Sequence, residues 1–272
     1  STQGYLTLST LKAIEMLGTE HDDIHKVIET YRIFAADRDN ITYDYGKNIE
    51  DFKGVDLNYI QEKIKLFNPD QSEKFDFPKP HGGGTAYMNT VDKNGLGVSL
   101  IQSNFHGIGS RIGVESFGFF LHNRGCGFNL DSGHPNYLTP GRKPLHTLSP
   151  TIWSKNGNLE FIAGTRGGRY QPQLLIQTIL PYIKNSDSFE KIIKEPRWVI
   201  ENFSNDTLSK LRFEKINNED LEILLQKGHE VEVDNKFNKA YGPISIIYKK
   251  DDGNFEGVCD VRVGTEKVFN SS

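Results

Sequence analysis

The spacing of apolar residues predicts helices in the first quarter of the chain. In residues 1–18, and again from Asp22 or Asp23 to about Ala36, apolar side chains recur every three or four positions, which is typical of an amphipathic helix. Leu57–Phe67 has the same spacing and predicts a third, shorter helix. Residues 68–81 contain three prolines and many polar side chains, which indicates a loop or tether.

From Thr85 onward, alternating apolar and polar residues predict strands, and Asn-Gly pairs predict hairpin turns between them. The predicted strands are Ala86–Asp92, Leu96–Ser103, Ser116–Asn123, Thr151–Lys155, Leu159–Ala163, Glu230–Val233, Ile244–Lys249 and Phe255–Asp260. Helices are predicted at Gln171–Asn185, Ser188–Lys194 and Asn217–Lys227. Residues 124–150 are rich in Gly and Pro, which indicates a long irregular loop. Antiparallel hairpins with helices between them indicate an α+β fold.

Composition narrows the class of protein. The chain has 272 residues, of which 36% are hydrophobic and 25% are charged, and its net charge is −4. These values suit one large globular domain or two smaller ones. Lys and Arg are scattered among acidic residues, and no apolar run is long enough to span a bilayer, so we expect neither a nucleic-acid nor a membrane partner. The few cysteines and the absence of a visible signal peptide favour a cytoplasmic location, although Ser1 in place of Met indicates a processed chain or a fragment.

No residue pattern indicates a metal or another cofactor. Cys126 and Cys259 lie far apart without a Cys-x-x-Cys motif, so we interpret both as free thiols. His106, His122 and His134 are irregularly spaced and have no accompanying carboxylate, which favours ordinary loop or sheet histidines over zinc ligands. We therefore expect neither a metal site nor a bound cofactor.

The triple glycine Gly82–Gly84, followed by Thr85, is the stretch with the most distinctive chemistry. Glycine adopts backbone conformations that other residues avoid, so a strained, scissile bond before Thr85 is one interpretation. Cleavage there would leave Thr85 with a free α-amino group beside its hydroxyl, and such an amine can serve as the general base for that nucleophile. Its ordinary pKa of roughly 7.7–8.0 leaves part of it unprotonated near neutral pH. Taken alone, however, a glycine run more often marks a flexible linker.

Several stretches together resemble one family of enzymes. In chain order they are Thr85–Tyr87, Val91–Gly95, Gln102–Ser103, Gly118–Asn123, Pro140–Thr151, Gly167–Gly168 and Glu195–Trp198. Each is weak alone, but as a set they resemble the γ-glutamyltranspeptidases, which belong to the N-terminal-nucleophile hydrolases. The resemblance implies a four-layer αββα sandwich in which residues 85–272 are the whole small, catalytic subunit. Residues 1–84 resemble the end of the large subunit, and because that subunit is normally a few hundred residues longer, we expect an N-terminal part to be missing.

The resemblance also implies roles for individual residues. Family members are made as one chain and cut themselves before the nucleophilic threonine, which here is Thr85, with Gly84 on the other side of the cut. Ser103 matches a hydroxyl residue that hydrogen-bonds to the nucleophile, and an outward-facing polar residue is the alternative. Gly167 and Gly168 match the pair whose backbone N–H groups form the oxyanion hole, and a simple strand-to-helix turn is compatible with that role. The two fragments would stay associated as a heterodimer, which can oligomerise further.

The positions that match the family's donor pocket depart from its pattern. Arg124 and Gly127 stand where a glutamine and an aspartate usually hold the α-ammonium group of a γ-glutamyl substrate. His146 and Thr147 stand where two serines usually bind its α-carboxylate. An arginine repels an ammonium group and binds carboxylates in a fork geometry, so Arg124 and His146 favour an anionic group on the donor. The alternative for Arg124 is a surface side chain paired with an acid.

Three hypotheses about function stay open. The first is a self-cleaving γ-glutamyltransferase or glutathione hydrolase-like enzyme, in which Thr85 takes the acyl group from a γ-glutamyl amide and passes it to water or an amine. The second keeps this chemistry but uses a donor without an α-amino group, as a glutaryl or cephalosporin acylase does. The third is a non-enzymatic remnant that binds a small ligand or a partner without cutting itself.

Overall fold

The computed structural model describes residues 2–20, 22–74, 84–200, 210–234, 239–264 and 267–269. These residues form two compact units that interleave along the chain. The first unit consists of Ser1–His81, Asn123–Thr147 and Trp198–Lys236, and the second consists of Gly82–His122, Leu148–Arg197 and Phe237–Ser272. These units are structural. The expected division into residues 1–84 and 85–272 refers instead to the two fragments that self-cleavage would produce, and it stays a prediction.

Helices and strands follow one another through both units. The helices are α1 (Tyr5–Met16), α2 (Ile24–Ala36), α3 (Arg38–Ile41), α4 (Leu57–Ile64), α5 (Gln171–Asn185), α6 (Phe189–Ile192) and α7 (Asn218–Gln226). The strands are β1 (Gly84–Val91), β2 (Gly97–Phe105), β3 (Gly113–Val114), β4 (Phe119–Phe120), β5 (Thr151–Lys155), β6 (Asn158–Thr165), β7 (Trp198–Ile200), β8 (Lys210–Phe213), β9 (Glu230–Val233), β10 (Ile244–Lys249) and β11 (Phe255–Val258). This mixture confirms the α+β class.

The first unit is organised around α2. Asp23 caps this helix by accepting a hydrogen bond from the Lys26 N–H, and α2 contacts α1, α4 and α7. A three-stranded sheet completes the unit, in which β7 runs antiparallel and β9 parallel to β8. For the cluster Asp37–Asp39 the sequence alone leaves a buried ion pair and a solvated helix end open, and it favours the solvated end. In the structure Arg38 is only 3% exposed and bonds to Asp39 and Gln3. The solvated interpretation of Arg38 is therefore wrong.

The second unit contains a hairpin, β1–β2, and an antiparallel sheet with the strand order β11-β10-β6-β5. The hairpin contacts the sheet through β6 and β10, and α5 packs against β6. Fully buried Ile162, Leu175 and Ile179 belong to this core. Because β1 begins at Gly84, this packing determines where Thr85 lies.

Most of the expected helices and strands agree with the observed ones. The hairpins at Asn94-Gly95 and Asn156-Gly157 are confirmed, as are the long helix α5 and the irregular region 124–150. The predicted strand Ser116–Asn123 is wrong, because a turn at Val114–Gly118 leaves only Phe119–Phe120 in strand form. Strands β3, β7 and β8 and the short helix α3 were not predicted. A short apolar run such as Trp198–Ile200 cannot be assigned to a strand rather than a buried helix segment by periodicity alone. None of the described helices meets the length and hydropathy needed to cross a membrane.

Candidate active site

Thr85 lies at the irregular start of β1, directly after Gly84, which pairs with a strained residue of β2. The register pairs Gly84 with Phe105 and Thr85 with Ser103, so the regular ladder is interrupted between Gly84 and Thr85. Phe105 has a φ of 77°, a conformation that bulky residues rarely adopt and that only surrounding structure can maintain. Gly84 needs to be glycine, because a Cβ atom there would lie 2.9 Å from Gly107 O. The main chain is thus constrained on both sides of the Gly84–Thr85 bond.

The hydroxyl of Ser103 joins the two sides of this bond. Thr85 Oγ1 donates to Ser103 Oγ at 3.1 Å, and Ser103 Oγ donates to Gly84 O at 2.9 Å. Ser103 Oγ also accepts from the Phe105 N–H at 3.0 Å. One donated and two accepted bonds use the whole capacity of a hydroxyl group. In this arrangement the hydroxyl proton of Thr85 points toward Ser103 Oγ. The hydroxyl proton of Ser103 points toward the carbonyl oxygen of Gly84.

The strand alternation places Thr85 on the same face of β1 as Tyr87. Side chains two residues apart in a strand share a face, and Tyr87 covers Gly164 in β6. A Cβ atom on Gly164 would lie 2.1 Å from the Tyr87 ring, so only glycine permits this contact. Gly164 precedes the predicted oxyanion glycines by three residues. The contact therefore brings the start of β1 and the end of β6 together within one unit.

Gly167 and Gly168 form the connection between β6 and α5. Their φ angles are 124° and 58°, both in the region that favours glycine. The Tyr170 N–H bonds to Gly167 O at 3.0 Å, and α5 begins at Gln171. The N-terminal end of a helix carries partial positive charge, which favours an anion nearby. The strand-to-helix turn is therefore observed, and its role as an oxyanion hole stays a prediction.

The predicted donor residues, Arg124, His146 and Thr147, belong to the first unit. Arg124 is only 7% exposed and opens a short 3₁₀ turn, and Thr147 is buried. Burial, together with the positive charge of Arg124, lowers the pKa of His146 below its ordinary value of 6.5. At neutral pH His146 thus offers hydrogen bonds and no charge, so the positive charge of this group comes from Arg124. The placement of all three in a donor pocket stays a prediction.

The family resemblance matches Gly127 to an aspartate, and the surroundings of Gly127 exclude a side chain. A Cβ atom there would lie 2.9 Å from Leu145 O, which is a backbone atom and cannot move aside cheaply. The side chain of Asn136 donates to Gly127 O and holds the same turn. The packing of this loop therefore leaves no room for an acidic side chain at position 127.

A buried histidine pair in the first unit was not predicted from the sequence. His25 Nδ1 and His229 Nε2 share a hydrogen bond of 2.7 Å, and Glu29 Oε1 lies 3.9 Å from His229 Nε2. In the part of the chain that the structure describes, these three residues could hold a metal ion by position. However, Glu29 is already bonded to Arg32 and Ser72, and the guanidinium charge opposes a cation. We interpret the group as a hydrogen-bonded cluster. No local sequence pattern could predict the pair, because His25 and His229 are far apart in the chain.

Comparison with known proteins gives consistent results. The sequence model for gamma-glutamyltranspeptidase matches residues 1–269. A glutathione hydrolase-like YwrD proenzyme of Bacillus subtilis is 30% identical over 95% of this chain and 50% of its own length. An oxamate amidohydrolase proenzyme of Klebsiella pneumoniae is 31% identical over 96% of this chain and 50% of its own. The chain therefore spans about half the length of these curated relatives.

Solved structures show the same relationship at the level of the fold. The crystal structure of cephalosporin acylase from Bacillus halodurans aligns with a TM-score of 0.79 and 26% identity, over 96% of this chain and 48% of that one. A gamma-glutamyltranspeptidase from Pseudomonas nitroreducens in complex with L-DON aligns over 68% of this chain with a TM-score of 0.56 and 22% identity. These matches confirm the expected fold of the N-terminal-nucleophile hydrolase type.

Proposed function

The chain belongs to the γ-glutamyltranspeptidase family, and we propose that it carries the nucleophile of a self-cleaving amidohydrolase or acyltransferase, with Thr85 as that nucleophile. One observation carries the proposal. The hydroxyl of Ser103 accepts from the hydroxyl of Thr85 and donates to the carbonyl of Gly84, across the bond that would be cut. The interpretation of the glycine run as an ordinary linker does not account for these two hydrogen bonds.

Self-cleavage begins when Thr85 Oγ attacks the carbonyl carbon of Gly84. The oxyanion forms on Gly84 O, where the Ser103 hydroxyl donates, and the Thr85 proton leaves through the hydrogen bond to Ser103. The C–N bond breaks as the Thr85 nitrogen takes up the proton that Thr85 Oγ released, and the carbonyl of Gly84 re-forms. This leaves an ester between Gly84 and Thr85 Oγ and a free amine on Thr85. Water then cleaves the ester and releases the Gly84 carboxylate and the free α-amine of Thr85.

Turnover repeats the same chemistry on an external amide. The α-amine of Thr85 accepts the proton of its own hydroxyl while Oγ attacks the substrate carbonyl. The amides of Gly167 and Gly168, near the N-terminal end of α5, stabilise the tetrahedral oxyanion. The leaving amine takes up the proton, and water or a second amine resolves the acyl ester on Thr85.

Two classes of donor fit this machinery. The family and the glutathione hydrolase-like relative favour a γ-glutamyl amide such as glutathione. The buried Arg124, the side-chain-free Gly127 and the similarity to an oxamate amidohydrolase and a cephalosporin acylase favour an acidic amide without an α-amino group. A panel of γ-glutamyl, glutaryl and oxamyl amides separates the two, because the first class predicts preference for the γ-glutamyl amide and the second predicts the reverse.

The fragments on either side of Thr85 are proposed to stay together after cleavage. Within the first unit, Lys227 Nζ lies 2.7 Å from Asp23 Oδ2, and His25 bonds to His229. The Gln3 side chain donates to Thr147 O at 3.0 Å. Each of these contacts joins a residue before Thr85 to one after it. These contacts support the proposal that the processed protein is a heterodimer.

The decisive experiment is the mass spectrum of the purified full-length protein and its variants. Wild type is expected as two fragments with a new N-terminus at Thr85, and Thr85→Ala as one uncut, inactive chain. Thr85→Ser keeps the hydroxyl and is expected to retain part of both activities. Thr90→Ala, on an exposed position of the same strand, is the control and should be cut normally. An uncut, inactive wild type would support the binding remnant, and cleavage of Thr85→Ala at the same bond would refute the proposed nucleophile.

A further inference from the structure

The Gly167–Gly168 loop is joined to a second segment of the same unit, Tyr241–Pro243. Gly242 has a φ of +60°, and a Cβ atom there would lie 2.5 Å from Arg166 O and 2.9 Å from Thr165 Oγ1. The two segments therefore pack backbone against backbone, with no space for a side chain between them. The position of Gly242 limits where Arg166, and the loop that follows it, can lie.

Thr165, the last residue of β6, ties these two segments together. It is fully buried, and its Oγ1 lies 2.7 Å from Pro243 O and 3.0 Å from Arg166 O. One hydroxyl proton thus serves two carbonyl groups, one in each segment. Thr165 also pairs with Ile244 in the ladder between β6 and β10. The hydroxyl is therefore the link between the end of β6 and the Tyr241–Pro243 segment.

A buried ion pair fixes the Tyr241–Pro243 segment in turn. Arg197 Nη2 lies 2.6 Å from Asp260 Oδ2, and both side chains are almost fully buried. Arg197 also donates to Gly242 O, and Asp260 accepts from the Ile244 N–H at 2.9 Å. Hydrogen bonds to ionised groups are short and directional. Charged side chains therefore hold the backbone on both sides of Pro243. Moving either of them would leave its partner as a buried, unpaired charge.

We propose that Thr165 is a positioning residue for the oxyanion: its hydroxyl, with Gly242 held by Arg197 and Asp260, sets the direction of the Gly167–Gly168 amides. The inference rests on the proposed function, which assigns the oxyanion to these amides. Preorganised donors act only when they are already aimed at the developing charge, and a misplacement of about 1 Å can cost roughly a hundredfold in rate. Because the alignment matters most as charge develops, its loss lowers kcat and leaves KM nearly unchanged.

The first test is Thr165→Val in the full-length protein, with Thr178→Val as the matched control. Thr178 is also buried, and its hydroxyl donates to Leu174 O at 2.8 Å, but both residues lie inside α5. With the p-nitroanilides of γ-glutamate and of glutarate as probes, Thr165→Val is expected to lower kcat by roughly ten- to a hundredfold with little change in KM. Thr178→Val should keep wild-type kcat, and Thr165→Ser should restore most of the loss.

The second test pushes the loop from Gly242. Gly242→Ala introduces a methyl group against Arg166 O and the end of the Leu174 side chain, whereas Gly253 has a similar φ of +86° and a Cβ atom there meets nothing within 4 Å. Both variants carry the same kind of backbone strain, and only Gly242→Ala displaces the loop. We expect the fall in kcat to be confined to Gly242→Ala.

Hydrogen exchange supplies a readout that needs no turnover. In the peptide containing Gly167–Gly168, exchange should be faster in Thr165→Val than in Thr178→Val, while the two variants melt at similar temperatures. Equal exchange, or equal kcat in the two variants, overturns the positioning role. Thr85→Ala separates the two proposals: full turnover by that variant refutes the proposed function, whereas an inactive Thr85→Ala with a fully active Thr165→Val refutes only the positioning role.

Discussion

The hydrogen-bond arrangement around Ser103 predicts the rate of self-cleavage. Ser103→Ala removes the hydroxyl that accepts from Thr85 at 3.1 Å and donates to Gly84 O at 2.9 Å. It also leaves the Phe105 N–H without its partner at 3.0 Å. In the proposed self-cleavage, the change deletes a donor at the atom where the oxyanion would develop and removes the hydrogen bond that orients the Thr85 hydroxyl.

The magnitude follows from the role of that donor. Removal of one oxyanion donor typically costs about 10²–10³ in rate, or roughly 3–4 kcal/mol. Ser103 is partly exposed, so water can replace some of the lost interaction, and we expect the lower end, about a hundredfold. Ser103→Thr keeps the hydroxyl and should cut at a rate close to wild type. Folding should be affected far less, since a hydrogen bond contributes only about 1 kcal/mol net.

The assay is a time course of fragment formation in cell-free translation of the full-length protein, quenched with acid and read by mass spectrometry. Ser110→Ala is the matched control. Its hydroxyl also bonds to backbone groups, donating to Leu121 O at 2.9 Å and accepting from the Ile112 N–H at 3.2 Å. Cutting of Ser103→Ala at the rate of Ser110→Ala would show that the Ser103 hydroxyl has no part in the reaction, and the reasoning above would be refuted.

Three further predictions concern donor choice, acid stability and packing. Arg124→Gln should raise kcat/KM for γ-glutamyl amides relative to glutaryl amides about tenfold, since about 1.4 kcal/mol is one decade; Arg142→Gln, whose guanidinium bonds to carbonyls of the same loop, should leave the ratio unchanged, and equal ratios in both variants would remove Arg124 from donor choice. Burial and neighbouring positive charges lower the pKa of His229 from 6.5 to about 3, so the unfolded chain binds a proton that the folded chain excludes, and stability falls as pH decreases below 6.5. His229→Gln should reduce this loss by about 1.4 kcal/mol per pH unit in urea unfolding between about pH 5.5 and 4.5, and an unchanged slope would contradict the shift. Gly164→Ala should destabilise the protein by about 1–3 kcal/mol and slow its self-cleavage, because the new methyl group overlaps the Tyr87 ring; wild-type melting and cutting would contradict that contact.

Local signals in the sequence predict much of the second unit. Asn94-Gly95 and Asn156-Gly157 specify their hairpins through backbone preferences that act within a few residues. The sequence points to Thr85 as a candidate nucleophile because the glycine run, the threonine and the strand after them are contiguous, and the family resemblance then adds Ser103 as its predicted partner. The hydrogen bond between the Thr85 and Ser103 side chains agrees with that expectation.

Interactions between distant residues were not predictable in the same way. Arg38 is buried because Gln3, far away in the sequence, offers it an amide oxygen, and no local pattern reports such a partner. The pair His25–His229 and the contact of Gly242 with Arg166 are likewise products of tertiary packing. A strand prediction at Ser116–Asn123 failed because alternating aromatic residues outweighed the turn-forming Gly118 in the pattern.

The interleaved first unit has a consequence for how the protein is made. This unit combines Ser1–His81 with Asn123–Thr147 and Trp198–Lys236, so its segments come from both sides of Thr85. In one chain these segments meet at the high effective concentration that a covalent connection provides, but after cleavage they would have to find each other by diffusion. The peptide bond before Thr85 would then be an assembly aid that is used once and discarded. A processed enzyme that unfolds would not return to its native state by the route that formed it, and its working life would be set by the rate of unfolding rather than by equilibrium stability.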